Sequence, residues 1–142
     1  MPLKYKILQD RKLVYVVGTE KVTFAELLAH LGELAKDPGY RAPMKKLIDY
    51  RYCEPLNLST AEIGAFSRKK ASYANVFAGE QCAIITKVDV DFGMARMHGM
   101  HIEREKIDTM VFRDMKPALE WLSLTVDEDE LKIEFAAGAV KA

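Results

Sequence analysis

Absent from the 142-residue chain are a Cys-x-x-Cys pair, a Gly-x-Ser-x-Gly elbow, a Gly-x-Gly-x-x-Gly fingerprint and a Walker loop. Without the glycine patterns there is no backbone cradle of the kind that holds dinucleotides or nucleoside triphosphates. Without the elbow there is no serine presented on a strained strand-to-helix turn. Charge of one sign is also lacking in excess, since Lys+Arg and Asp+Glu both number 21. A nucleic-acid binder draws most of its affinity from a basic surplus that neutralises phosphates, so nucleic acid is not expected as a partner. No apolar run approaches the roughly 20 residues of a membrane-spanning helix, and none is expected to span. Cysteine is scarce: Cys53 and Cys82 stand alone. With no apolar leader before Lys4-Tyr5-Lys6, the expected compartment is the reducing cytoplasm, with both thiols free. Cys82 opens the apolar run Cys82-Ala83-Ile84-Ile85 and reads as a core residue, leaving Cys53, in a polar stretch before Pro55, as the accessible thiol.

What is present is an ordinary globular composition, 49% hydrophobic and 30% charged, at a length suited to one domain. Leu3, Tyr5 and Ile7 alternate with Lys4 and Lys6, the period of a half-buried strand. Gln9-Asp10-Arg11 joins it tightly to Leu13-Val14-Tyr15-Val16-Val17, so the two strands pair antiparallel. The second run is apolar on both faces, as in a strand covered on two sides. Gly18 ends it. Thr23-x-x-Glu26 then reads as a capping box for a helix carrying Phe24, Leu27, Leu28, Leu31 and Leu34 on one stripe, which Asp37-Pro38-Gly39 stops. Lys46 to Tyr50 is the next strand, and a second capping box, Ser59-x-x-Glu62, opens a helix with Ile63, Phe66 and Tyr73. A strand from Cys82 to Thr86 leads to a helix near Phe92 to His101, with Asp91 as its expected N-cap. A strand from Thr109 to Phe112 leads to a last helix capped by Asp114, with Ala118, Leu119 and Leu122 facing in.

The order β-β-α-β-α-β-α-β-α predicts an α/β fold with a single mixed, mostly parallel sheet, because strand–helix alternation forces right-handed parallel crossovers. The domain is expected over residues 1–124. Residues 125–142 form a distinct tail that opens on Asp127-Glu128-Asp129-Glu130. There Leu131, Ile133 and Phe135 alternate with Lys132 and Glu134, a pattern that fits a short strand or one or two helical turns.

Three stretches carry a family resemblance: Phe92-Gly93-Met94-Ala95-Arg96-Met97, Val111-Phe112-Arg113-Asp114, and Ala118-Leu119-Glu120-Trp121-Leu122. Together with Asp49 at the end of the third strand, they resemble the SpoIIAA-like family of the STAS and CRAL-TRIO group over residues 3 to 124. The resemblance implies a small cytoplasmic α/β domain. It also implies kinship with anti-sigma-factor antagonists switched by serine phosphorylation and with carriers of lipids or other apolar ligands. The antagonists bear Asp-Ser-Ser-Gly at the corresponding helix start. Here Asp49 is followed by Tyr50 to Leu58, and only Ser59 opens the helix. Its hydroxyl already has a capping role, though a phosphate there would suit the helix N-terminus.

Open parallel sheets bind ligands beyond the carboxyl ends of their strands. That places Asp49, Arg51, Thr86, Lys87, Arg113 and Asp114 on a candidate rim for a ligand or partner. The bland reading makes Asp49 a turn-capping residue and Arg51 a solvated one. Met94, Met97, His98 and His101 share a broad helical side, and together with Arg96 they read as a partner or cavity face. Thioether and imidazole would suit copper, but no third ligand stands nearby, and neither a metal nor any other cofactor is expected. His30 reads as a partly buried helix residue, Arg68-Lys69-Lys70 as a solvated run, and Trp121 as packed on the sheet or the tail. The expected function is a non-catalytic STAS-like module that engages a protein partner or a small apolar ligand, as a homodimer. The alternatives are a small enzyme built on Asp49, Arg51 and Cys53, or a phosphorylation switch at Ser59.

Overall fold

A strand that is apolar on both faces has to lie inside a sheet with helices above and below, and Leu13–Glu20 (β2) does so. The computed structural model describes residues 2–137. β2 pairs antiparallel with Leu3–Leu8 (β1) across a 3-10 turn at Gln9–Arg11, which Lys12 closes in the left-handed region at φ 51°. On its other side β2 runs parallel to Lys45–Cys53 (β3), followed by Gln81–Ile85 (β4) and Asp108–Phe112 (β5), in the spatial order β1-β2-β3-β4-β5. The connections are helices Phe24–Lys36 (α1), Thr60–Ser72 (α2) with the short Ala74–Phe77 (α3), and Asp89–Ile102 (α4). Met115–Trp121 (α5) and Glu128–Ala136 (α6) follow β5. The mixed, mostly parallel sheet expected from the element order is therefore the observed one.

Two cores form because alternate strand residues face opposite ways. Val14, Val16, Ile48, Cys82 and Ile84 face Leu27, Leu31 and Leu34 of α1, Ile63 of α2, Phe77 and Ile102. Leu13, Tyr15, Leu47, Ala83 and Ile85 face Met115, Ala118 and Leu119 of α5 and Leu131 of α6. Trp121 packs at a tilt on Phe112 at 5.8 Å, so its ring covers the sheet as expected.

The described part of the tail is helix over Glu128–Ala136, and 138–142 lie outside the described residues. Asp127 accepts from the Glu130 amide at 2.8 Å, and three acidic residues in the first turn suit the positive end of the helix dipole. Leu131 and Phe135, one turn apart, share the buried face, with Phe135 edge-on to Tyr15 at 5.1 Å, while Ile133 is left in solvent. The period that governs is thus that of a helix, and the apparent alternation is coincidental. The hairpin holds this helix from below. Arg11 grips Glu134 with both Nε and a terminal nitrogen, and Lys6 Nζ donates to the Glu134 carbonyl at 2.8 Å. Leu131→Ala removes a fully buried side chain and should cost about 2–5 kcal/mol in urea denaturation, as such core truncations do.

Several local expectations are corrected. β2 does not stop at Gly18. It continues to Glu20 with an irregularity between Val17 and Thr19, and β3 follows it to Cys53. Gly18 is small because a Cβ there would sit 3.1 Å from the Tyr50 ring. Ser59 and Glu62 form the full capping box. Thr23 accepts from the Glu26 amide, but the Glu26 carboxylate bonds the Thr23 hydroxyl, so that box is half made. Asp91 is no N-cap: α4 begins at Asp89, and Asp91 turns inward. Asp114 holds the N-cap position of α5 without a capping bond. His30 is more deeply buried than expected, edge-on to Tyr5 at 5.3 Å.

The largest correction is Lys70, read as part of a solvated basic run. It is buried, and its ammonium lies 2.6 Å from Glu80 Oε1. Glu80 also accepts from the Tyr40 hydroxyl. A second buried lysine, Lys46, enters the same core from the start of β3, between Val14 and Cys82 in register. Burial and then the neighbouring Lys70 pull the Lys46 ammonium down to about 8. Because Tyr40, Lys46 and Glu80 stand at the beginnings of β3 and β4, this ionic cluster lies at the amino end of the sheet, opposite the candidate rim.

Candidate functional site

At the carboxyl end of the sheet, β3 hands the chain to the segment 54–59, and β4 hands it to α4. Below that segment lies a cleft of about 50 Å³ lined by Leu27, Tyr50, Leu58, Phe66, Met94 and His98, among others. Asp91 ties the roof down, accepting from the Leu56 amide at 3.0 Å. Deeper in, His98 Nδ1 lies 2.8 Å from the Ser67 hydroxyl, which also donates to the Ile63 carbonyl, and Phe66 stands edge-on to the imidazole at 4.9 Å. Burial, and then the charges of Lys70 and Lys46, hold His98 neutral, well below the ordinary histidine range. A serine bonded to a neutral histidine has the first two parts of a nucleophilic device. Its hydroxyl is bound to its own helix, however, and among the described residues no third polar group bonds the ring, as a working triad requires.

Asp49 and Arg51 do meet, but on the other face of the sheet, with Asp49 only 1% exposed. Asp49 accepts from the Arg51 amide at 3.0 Å and from its guanidinium at 3.0 and 2.9 Å. The same guanidinium reaches Glu128 of α6 at 3.0 Å. Bonding to Asp49 above all holds Arg51 firmly protonated. Burial opposes charge on Glu128, but its bonds to Arg51 and Lys132 outweigh that and keep its carboxyl below the usual range. Arg51 is therefore not the solvated residue of the bland reading. It is the bolt between the end of β3 and the start of α6, and its fork is already occupied.

The remaining rim residues pair among themselves. Thr86 is buried and accepts from the Val88 amide, Lys87 meets Asp114 at 3.2 Å in solvent, and Arg113 bonds Asp89 at 2.8 Å and stacks over Phe92. The face carrying Met94, Arg96, Met97, His98 and His101 divides. Met94 and His98 line the cleft, Met97 packs half-buried on the core, His101 is exposed, and Arg96 lines a separate outer groove. Cys53 is not an exposed loop thiol. It ends β3 half-buried and donates to the Tyr50 carbonyl, and burial pushes its thiol up to about 11, away from nucleophilic use. Ser59 is exposed at the start of α2, its hydroxyl accepting from the Glu62 amide at 3.0 Å.

The sequence reading missed Asp91 as a roof tie, Ser67 beside His98, and Glu128 as a member of the rim. The Asp91–Leu56 and Ser67–His98 contacts join residues more than 30 positions apart, beyond the reach of any local spacing rule. No group of three or more His, Cys, Asp or Glu side chains fit to hold a metal occurs among the described residues. No described helix is long and apolar enough to cross a membrane.

No protein-family model matches the chain, and no curated protein does. Among solved structures the chain is similar to an uncharacterized protein of the DUF3478 family with a SpoIIAA-like fold from Shewanella loihica PV-4. The TM-score is 0.53 at 20% identity, covering 84% of this chain and 91% of that one. The chain thus has a SpoIIAA-like fold, in line with the likeness read from the sequence.

Proposed function

We propose that this chain is a non-catalytic STAS-type module whose carboxyl rim engages a protein partner in the cytoplasm. The observation that carries the reading is the size of the cleft beneath the rim. Small-molecule sites run to roughly 300–1,000 Å³, and even a cavity that admits benzene is about three times larger than this one. At about 50 Å³, the space beneath the 54–59 segment suits packing rather than a lipid or other carried ligand. Enzymatic use of Asp49, Arg51 and Cys53 is disfavoured by the closed Asp49–Arg51–Glu128 cluster and by the raised thiol. The outer surface of the rim is open for recognition, with Tyr52 and Val90 54% and 58% exposed. Switching through Ser59 is the second reading, favoured by its exposed hydroxyl. A phosphate there would displace the capping box and stand beside Glu62, and that repulsion would offset what the helix N-terminus offers it.

Affinity capture with the wild-type chain, Val90→Asp and Tyr52→Ala, read together with native mass spectrometry, tests the proposal. The expected result is one protein retained in stoichiometric amount by the wild type and lost with Val90→Asp, and a purified chain free of bound acyl ligand. A co-purified lipid in fixed ratio, or capture indifferent to both substitutions, overturns it. Phosphate found on Ser59 in the native protein would promote the second reading.

A further inference from the structure

The two edges of the sheet are built differently. An open edge strand offers unpaired backbone groups to any passing strand, and proteins blunt such edges with lysine, proline or a cover. β1 is blunted in this way: Lys4 projects into solvent, and Lys6 is drawn across to the Glu134 carbonyl of α6. β5, at the other edge, has the sequence Asp-Thr-Met-Val-Phe, with no lysine and no proline, and pairs on one side alone, with β4. Beside it runs a groove of about 410 Å³ between β5 and α4, lined by Arg96, Met100, Glu103, Asp108 and Met110 among others. Met100 and Met110 are 76% and 44% exposed. Two of the large exposed apolar side chains among the described residues therefore flank this unguarded edge.

Charge along this groove is ordered. α4 leaves β4 at the carboxyl rim and returns the chain to the amino end of β5, so Arg96 lies nearer the rim, and Glu103 and Asp108 lie at the opposite end. None of the three has an ion pair or a side-chain hydrogen bond among the described residues. A two-fold interface must be self-complementary, because the same patch faces itself reversed. Antiparallel pairing of two β5 strands about an axis near Met110 does this. It lays the Arg96 end of one groove over the Glu103 and Asp108 end of the other and brings the two Met110 side chains together at the axis.

We propose that β5 and the α4 groove are the homodimer interface, in which a second copy of this chain adds its β5 antiparallel and makes a continuous ten-stranded sheet. This surface is separate from the Tyr52 and Val90 rim, so the dimer stands or falls independently of the partner proposed there.

Sedimentation velocity of the full chain tests it, with circular dichroism to confirm that each variant is folded. The wild type is expected to sediment at twice the chain mass at micromolar concentration. Met110→Lys, which sets two ammonium groups against each other at the axis, is expected to give monomer. Arg96→Glu, on an exposed helix face, is expected to weaken the dimer on the order of tenfold or more by like-charge juxtaposition. Adding Glu103→Arg and Asp108→Arg to Arg96→Glu is expected to restore it, since the charge order is then inverted in both copies. A wild type that stays monomeric up to on the order of 100 μM overturns the proposal. So does a dimer insensitive to both Met110→Lys and Arg96→Glu.

Discussion

Glu80→Gln should destabilise the fold by about 3–5 kcal/mol, the cost of breaking a buried ion pair from one side, measured as the shift in urea denaturation. The loss is large because the carboxylate serves three groups at once. It accepts from Lys70 at 2.6 Å and from the Tyr40 hydroxyl, and it lies near the buried Lys46. Burial works against charge on Glu80, yet the two lysines more than offset it and hold its carboxyl below the usual range. With a neutral amide in its place, two ammonium groups remain in an apolar core with no anion. A domain of this size has roughly 5–15 kcal/mol in total, so about a fifth or more of its stability hangs on one side chain. Lys70→Met introduced on top of Glu80→Gln should recover more than half of the loss, because it removes the worst-placed charge. If the double variant is less stable than the single one, the cluster is not acting as an ion pair.

Acid should weaken the protein well before its carboxylates protonate. His30 and His98 are both buried, and burial first, with the Lys46 and Lys70 charges second, depresses both well below the ordinary histidine range. As pH falls through about 6.5, the unfolded chain takes up a proton on each ring while the folded chain takes up neither. The unfolded state then binds more protons, so stability falls as pH falls, by up to about 2.7 kcal/mol per pH unit for two such groups. Denaturation midpoints followed from pH 7.5 to 5 should show this slope, and His98→Gln should halve it. A midpoint flat across that range would mean that the rings are solvated or already charged in the native state.

Regular features were legible in the sequence because they are local. The alternation at Leu3, Tyr5 and Ile7, the stripe from Phe24 to Leu34 and the box at Ser59 each depend on residues within one or two turns of each other, and each element formed as expected. The tail was ambiguous because Leu131, Ile133 and Phe135 satisfy both periods in so short a run. What decided it was Tyr15, a partner more than a hundred positions away that no local pattern can reveal. The site was less legible for the same reason. Lys70 looked like the third member of a basic surface run, and only Glu80 and Tyr40, arriving from other elements, make a buried position tolerable for it. Asp49 and Arg51 were rightly singled out as neighbours, but Glu128, which closes their cluster, comes from beyond the last strand. A hint lay in Lys46, whose place in phase with Ile48 points a charge at the core and asks for an anion.

The grip of the opening hairpin on the final helix joins Arg11 to Glu134 across 123 positions of chain. During synthesis β1 and β2 emerge long before their cover, so Leu8, Leu13 and Tyr15 stay bare on one side while the chain between is made. Such a gap leaves half-finished chains with a sticky patch, the condition under which nascent proteins aggregate or recruit chaperones. Closure of the hairpin face is then a late, all-or-nothing step, and ribosome-bound chains halted before Glu128 should be the protease-sensitive ones.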